Sequence, residues 1–375
     1  MKKRIAIIGS RIGGLTAANL LIKNSDFEII VYEKEKILSL DEGYGIQLAT
    51  NSVSILNKIG FRNIGNNDIF NPLKLNFYSN SNKICDLDLG RFNNDSIKYT
   101  TLQRSTLIEF LKDKLFANNF RFGKEVSKVS KIKEKLLINF VDRTSDLVDF
   151  IIVSDGVFSN TKSIIENKIV KTRYSGSVAI RRIVKFSEEF NYESKNISLI
   201  MLPNAHVVIY PINKKNDFNL VCIVREKLSQ NYDIRSIIKK KILSKNKNLE
   251  NLFKGDLNLW PVYVTKKPIK SIYENVFYLG DAFYTFVPAL AQGASQSIEA
   301  AYELFSLLSE NKKNIQNLYF VKRLKRTTQI SKRSKFNYFG FHISNSLLEI
   351  LRNFFLKRLV KNRNFIQNYL GKIYQ

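Results

Sequence analysis

Three stretches of this chain place glycine beside charged or hydroxyl side chains at the end of an apolar run, a pattern that grips phosphate when a helix follows. The first is Gly9-Ser10-Arg11-Ile12-Gly13-Gly14, after the apolar residues 5–8 and before the helix-like segment 15–23; Glu33 and Lys34 end the next apolar run. In a dinucleotide-binding turn the first glycine makes the tight bend and the last lets helix pack on strand. The helix N-terminus then faces a pyrophosphate, and an acid ending the second strand accepts from ribose hydroxyls. Gly9, Gly13, Gly14 and Glu33 suit those places, with Lys34 beside the acid as a further candidate. Where the backbone must come closest to phosphate stands Arg11, whose side chain either crowds the pyrophosphate or contacts it as a cation. Taken alone, the segment equally suits a glycine-rich helix start in any α/β protein.

Two later stretches narrow the choice. Residues 151–153 run apolar into Ser154-Asp155-Gly156, with Ser159 and Lys162 just beyond. Residues 277–279 run apolar into Gly280-Asp281-Ala282, followed by Pro288 and Gln292-Gly293-Ala294. Asp281 can accept from a ribityl hydroxyl, while free amides at the helix start formed by Gln292, Gly293 and Ala294 can stabilise negative charge on a ring. Either pair alone is ordinary turn chemistry. All three together, in this order, are specific.

The elements that must position these turns follow from the apolar period. Residues 5–8, 15–23 and 27–33 read as strand, helix and strand, and continuous apolar strands with short loops imply a parallel sheet covered on both faces. Short strands at 73–77 and 84–89, a helix at 105–116 and strands at 136–141 and 149–153 follow. Runs at 177–183, 197–202, 207–210 and 219–224 suggest an antiparallel sheet, the wall of a second domain. Residues 276–279 resume the first pattern, and helices are expected at 292–308, 315–329 and 346–359. With no repeat and no low-complexity linker, the two domains are expected to interleave.

Composition bounds the partners. The chain has 375 residues, 44% hydrophobic and 25% charged, which excludes a disordered chain and suits two domains. Sixty Lys and Arg against 33 Asp and Glu leave a net charge of +27, a field that draws phosphate, nucleic acid or anionic lipid without choosing among them. Residues 311–375 carry fifteen basic residues and one acid, Glu349. No nucleic-acid recognition motif accompanies them, so nucleic acid is not expected as a partner. Cys85 and Cys222 exclude a disulfide framework and a zinc cluster, and His206 and His342 show no metal spacing and read as structural. No apolar run approaches the roughly 18 to 20 residues that span a bilayer, and the N-terminus enters a strand at once. A cytoplasmic chain is expected, free or bound at a membrane surface.

On the three signatures at Gly9 to Gly14, Asp155-Gly156 and Gly280-Asp281, the sequence resembles the class A flavin monooxygenases, the para-hydroxybenzoate hydroxylase-like family, over nearly its whole length. Gly43-Tyr44-Gly45-Ile46-Gln47-Leu48 supports the match, as does Arg104, which looks like the family arginine reaching the flavin's ribityl and phosphate region. Tyr174-Ser175-Gly176 with Arg181, and Val208-Ile209-Tyr210-Pro211, look closest to the salicylate hydroxylase and ubiquinone-ring hydroxylase branches. The resemblance implies a Rossmann-like FAD-binding domain in segments 1–70, 99–172 and 269–310. A β-sheet substrate domain would occupy 71–98 and 173–268, and a basic helical region 311–375.

It implies FAD as cofactor, with Asp155 among its ligands, NAD(P)H and dioxygen as co-substrates, and a flavin hydroperoxide that hydroxylates a small aromatic or quinone-like substrate. No catalytic side chain is required; the pocket candidates are Tyr284, Pro288, Arg181 and Tyr210. The chain departs from the family at Arg11, at Lys162 where arginine is usual, and at Ala282, Phe283 and Tyr284, where small residues and a histidine are usual; Phe283 and Tyr284 are expected to reshape the ring pocket. Arg11 and the basic tail motivate a rival reading, a non-catalytic or weakly FAD-binding membrane-surface protein on a flavoprotein scaffold. Flavin-dependent epoxidation, ring reduction or halogenation is a third, and Trp260, the only tryptophan, speaks against a halogenase.

If residues 346–359 form one helix, Leu347, Leu348, Ile350, Leu351, Phe354, Phe355 and Leu359 share a stripe opposite Glu349, Arg352, Asn353 and Lys357, with Leu356 and Val360 interrupting the polar side. The preferred expectation is that the stripe packs on the fold. The alternative is that it lies on an anionic membrane.

Overall fold

The computed structural model describes residues 2–38, 40, 44–187, 192–310 and 312–374. Its first sheet has five parallel strands in the order Val276–Tyr278, Phe150–Val153, Lys3–Ile8, Phe27–Tyr32, Phe120–Arg121. Alternation sends successive side chains to opposite faces. Ile5, Ile7, Ile29 and Val31 therefore enter one core with the helices Ile12–Leu21 and Gly293–Ser309. Ala6, Ile8, Ile30 and Tyr32 enter another, closed by an antiparallel meander of Val126–Ile132, Lys135–Phe140 and Ser145–Val148. Both faces are covered, one of them by strands rather than helices.

The second sheet has seven strands in the order Asn258–Val264, Arg173–Lys185, Asp217–Arg225, Ala205–Pro211, Ile197–Leu202, Lys74–Ser79, Asn82–Asp88. It is mixed, not wholly antiparallel as expected, because Ile197–Leu202 runs parallel to Lys74–Ser79. The chain leaves this sheet after Asp88 and adds Phe120–Arg121 and Phe150–Val153 to the parallel one before returning. Such a crossover, unlike a hairpin, permits parallel pairing.

Two helical expectations are also corrected. The helix at 315–329 runs on to Phe341, as Ile315–Phe341, because no proline stops it and Ser331 and Ser334 pack inward where an apolar period does not reveal them. The helix at 105–116 is Arg104–Lys112.

The helix Ser346–Leu359 matches its expected span but is turned over. Leu347 is 70% exposed, Ile350 64% and Phe355 55%, with Leu348, Leu351 and Phe354 also exposed. The polar side faces the fold instead. Ser79 Oγ donates to Glu349, Arg352 Nη2 donates to Ser79 Oγ at 2.8 Å, and Leu356 and Val360 reach the core between the seven-stranded sheet and the C-terminal helices. The residues that interrupt the polar side are thus the ones that dock it. No described helix is long and apolar enough to cross a membrane.

Candidate functional site

Register brings the three signature turns to one edge. Ile8 pairs with Val153 and with Tyr32, and Val153 pairs with Tyr278, so Gly9, Glu33, Asp155 and Gly280 all leave the parallel sheet at its carboxyl end. The turns touch. Gly9 has φ +101°, and a Cβ there would lie 2.8 Å from the Ser154 carbonyl oxygen and 2.9 Å from Asp155 Cα. A Cβ on Gly14 would lie 2.2 Å from the Gly9 carbonyl oxygen, and one on Gly13 would lie 2.4 Å from Leu279. Glycine is needed at Gly9 and Gly14 because neighbouring backbone closes in, whereas at Gly13 the obstacle is the Leu279 side chain.

Arg11 is different. Its backbone is extended, φ −90° and ψ −179°, which any residue adopts, and its side chain is exposed. The position does not demand glycine.

Around this edge lie the carboxylates. Glu33 accepts from Ser10 N at 3.0 Å and Ser10 Oγ at 2.6 Å; burial raises its carboxyl, and the bonds from Ser10 and neighbouring amides bring it below the usual range. Lys34 points to solvent beside Glu35. Burial pushes Asp155 up against bonds from Ser159 and Thr161, and its buried Oδ1 has no hydrogen-bond partner. Asp281 is exposed to solvent on the Gly280 turn, beside Gly293 and Ser297. Desolvation pushes its carboxyl up, and the charges of Arg11 and Arg104 oppose this. Lys162, buried, reaches from the second turn to the third and donates to the Ala282 carbonyl at 2.6 Å.

Gln292 caps the helix Gly293–Ser309, preceded by Ala291 at φ +51°, a left-handed conformation that costs a residue bearing Cβ about 1 kcal/mol. Gly293 faces open space, with nothing within 4 Å of an added Cβ. Nothing in the sequence marks Ala291; its strain at a helix start is visible only in the backbone.

The second sheet supplies the opposing wall. Gly45 donates its amide to Asn219 Oδ1 at 2.8 Å, joining Gly45–Leu48 to the seven-stranded sheet. Gly43 lies outside the described residues. Arg104 begins its helix directly after the strand Thr100–Gln103 and donates its amide to the Tyr44 carbonyl at 2.8 Å. The Arg181 guanidinium lies 6.0 Å from the rings of both Tyr44 and Trp260, and its buried Nε has no partner. Tyr210 is buried, hydrogen-bonds Gln47 and feels the charge of Arg181.

The Gly280 loop turns partly away from this wall. The Tyr284 hydroxyl meets Ser331 Oγ at 3.2 Å on the long helix, and Phe283 packs on Tyr319 and Phe320. Phe283 is therefore a core residue rather than a shaper of the pocket. Pro288 is exposed. Trp260 and Tyr44, whose rings meet edge to face at 5.0 Å beside Arg181, are site candidates that the sequence reading does not name as such; a lone tryptophan and a Gly-Tyr-Gly run were the available signal. His206 and His342 meet at 2.7 Å in the core, where burial holds them down to about 3 and about 2, so both stay neutral. A cavity of about 310 Å³ opens at the opposite, amino end of the parallel strands, between Lys3, Asp149 and Asn275, away from all three turns.

No protein-family model matches the chain. The 3-amino-4-hydroxybenzoate 2-monooxygenase of Streptomyces cremeus is 24% identical over 365 residues, 91% of this chain and 88% of its own. The 6-hydroxynicotinate 3-monooxygenase of Pseudomonas fluorescens is 24% identical over 372 residues, 89% of this chain and 91% of its own. The chain is a relative of the class A flavin monooxygenases. HpxO of Klebsiella pneumoniae, solved with FAD and uric acid, shares the fold with a TM-score of 0.87 at 19% identity, over 99% of this chain and 96% of its own.

The flavin monooxygenase resemblance implies FAD at this sheet edge, and the residues present suit that group. The glycine turn leaves its helix start uncrowded, Asp155 Oδ1 lacks a partner, and Asp281 and Gly293 face open space.

Proposed function

We propose that this chain is an FAD-dependent monooxygenase that uses NAD(P)H and dioxygen to hydroxylate a small aromatic or quinone-like substrate. The observation that carries the reading is the convergence of three signature turns on one sheet edge, with the Asp281 carboxyl on the third of them. Bound FAD supplies the redox chemistry: two electrons from reduced nicotinamide let dioxygen yield one oxygen atom to substrate and one to water.

The protein binds, orients and excludes water. Gly9, Gly13 and Gly14 hold the first helix start against the diphosphate, Glu33 takes the ribose hydroxyls, and Arg104 adds positive charge near the phosphates. Asp155 and Asp281 accept from flavin hydroxyls. The helix start at Gln292, Gly293 and Ala294 aims its dipole at the ring, where negative charge accumulates. Arg181 and Tyr210, with Tyr44 and Trp260, form the wall against which substrate lies, and Tyr284 and Pro288 stay secondary candidates. Lys34 has the weakest support, since it faces solvent.

The three-segment FAD domain, the two-segment substrate domain and the basic tail, with the boundaries given above, belong to the same proposal. So does a cytoplasmic location with peripheral contact to an anionic membrane through the C-terminal helices. The rival non-catalytic reading rests on Arg11 and the basic tail; against its first support, the extended backbone and exposed side chain of Arg11 leave the turn open.

The test is direct. Purified protein should be yellow, carry FAD near one equivalent, and oxidise NAD(P)H faster when aromatic acids or phenols are added, with matching oxygen uptake. A colourless protein indifferent to added FAD ends the proposal.

A further inference from the structure

The outer helix Ser346–Leu359 lies on the fold by its polar side, and that orientation needs a cause. Leu347, Leu348, Ile350, Leu351, Phe354 and Phe355 face outward over about half the helix circumference, one residue every ~100°. A contiguous apolar face of this kind marks an interaction site on a soluble surface.

The charges around it are one-sided. Lys357, Arg358 and Lys361 are exposed at the helix end, and the Arg358 guanidinium lies 4.0 Å over the Phe354 ring. From Lys312 to Tyr374 the sole acid is Glu349, and it is turned inward onto Ser79 and Arg352. The outer surface of the helix therefore presents apolar side chains and positive charge, and the nearest acids, Asp86 and Asp88, lie on the edge strand beneath it. Exposed Phe336 and Phe339 stand on the last turns of the long helix, whose Gly340 carbonyl accepts from Arg352 at 3.3 Å.

Charge decides the occupant. A second copy docking face to face would bring Lys357, Arg358 and Lys361 against their own counterparts. A single convex helix also offers no groove for a shaped partner. An anionic bilayer surface accepts both features at once, burying the phenylalanines and leucines at the headgroup boundary while lysine and arginine meet lipid phosphate.

We infer that the outward face of Ser346–Leu359 is a membrane-docking surface for anionic lipid, lying in the interface plane with its polar side kept on the edge strand Asn82–Asp88. The inference rests on the membrane part of the proposed function and not on its chemistry. Docking would leave the flavin site, at the other end of the seven-stranded sheet, unobstructed.

Flotation of the full-length protein tests it, using vesicles of phosphatidylcholine alone and vesicles with one third phosphatidylglycerol. The protein should rise with the anionic vesicles only. Neutralising Lys357 or Lys361 to Gln should weaken partitioning about fivefold each, and Leu351→Glu with Phe355→Glu should abolish it. FAD content and NAD(P)H turnover, measured on the same preparations, should match the unaltered protein and so separate loss of docking from loss of fold or chemistry. A Phe355→Trp reporter quenched by brominated acyl chains would confirm insertion at that face. The inference is overturned if the protein ignores both vesicles, if the double Glu variant still floats, or if the protein is a dimer that Leu351→Glu splits.

Discussion

Asp281 feels the charge of Arg11, and their contributions to flavin binding should differ widely. Asp281 sits where desolvation disfavours its charge, so the folded apoprotein holds that proton more tightly than the unfolded chain. Its contribution to stability is full below the ordinary carboxylate range, near pH 4, and is lost as pH rises through the raised folded value. At neutral pH the ionised carboxylate works against the apo fold. Because solvent reaches Asp281 and screens the effect, Asp281→Asn should raise the apoprotein melting temperature at pH 7 only slightly, with the gain shrinking toward pH ~4, while FAD binding weakens about ten- to a hundredfold through loss of a charged acceptor. Calorimetry across pH and a flavin-fluorescence titration measure the two halves. A variant that melts no later at pH 7 would show that the carboxylate is not strained there. Arg11→Gly should change FAD affinity less than about fivefold, slightly for the worse, because an exposed cation is worth about 1 kcal/mol or less; a large gain would instead mean that the side chain obstructs the diphosphate. Gly14→Ala is the opposite case. Its Cβ would meet the Gly9 carbonyl oxygen at 2.2 Å, and unyielding backbone there should cost ~3 kcal/mol, read as a lower urea midpoint.

The parallel strands and the glycine turns were legible at the level of elements because local rules govern them: continuous Ile and Val for buried strands, and glycine where a Cβ would strike a neighbouring turn. What stayed hidden depended on which way an element faces. The amphipathic period at 346–359 located a helix and its two sides but was silent on which side the fold would take, and Leu356 and Val360 decided that by reaching the core. Phe283 looked like a pocket residue because of its place after Gly280-Asp281, yet packing against Tyr319 and Phe320 claims it. The parallel pairing of Ile197–Leu202 with Lys74–Ser79 joins segments more than a hundred residues apart, beyond any local signal. The turned-over helix is itself testable. Leu351→Glu should shift unfolding by less than about 0.5 kcal/mol, and Val360→Asp should cost ~3 kcal/mol or more, because only the second puts a charge into the core. Equal costs from chemical denaturation would mean that both sides of the helix are covered.

At the scale of the whole molecule, a buried ion cluster ties the C-terminal helices to the helix Gly293–Ser309. Arg323, only 1% exposed, donates to Glu299 at 3.0 Å and to Gln296 Oε1 at 2.7 Å; Arg326 binds Glu299 and the carbonyls of Lys372 and Ile373. These contacts join the long helix and the C-terminal turn to the helix whose start faces the flavin site, and Gln296 passes the link to Gln292 at 3.2 Å. Elsewhere the excess of +27 charges is spread over a surface with few acids to answer it, and mutual repulsion opposes the compact state. The two kinds of electrostatics respond differently to salt. Exposed repulsion is screened once the Debye length falls to about 8 Å near 0.15 M salt, while the buried Arg323 cluster is out of reach of mobile ions. Raising NaCl from ~10 mM to ~150 mM should therefore raise the melting temperature by several degrees in the unaltered protein. Arg323→Met takes one of two guanidiniums from Glu299, which keeps Arg326, and leaves Glu303 only the more distant Lys322; it should lower stability by about 3 kcal/mol at every salt concentration and leave the slope of that rise unchanged. A melting temperature that falls with salt would mean that surface attraction, not repulsion, dominates, and that the positive charges are already neutralised by neighbours within the fold.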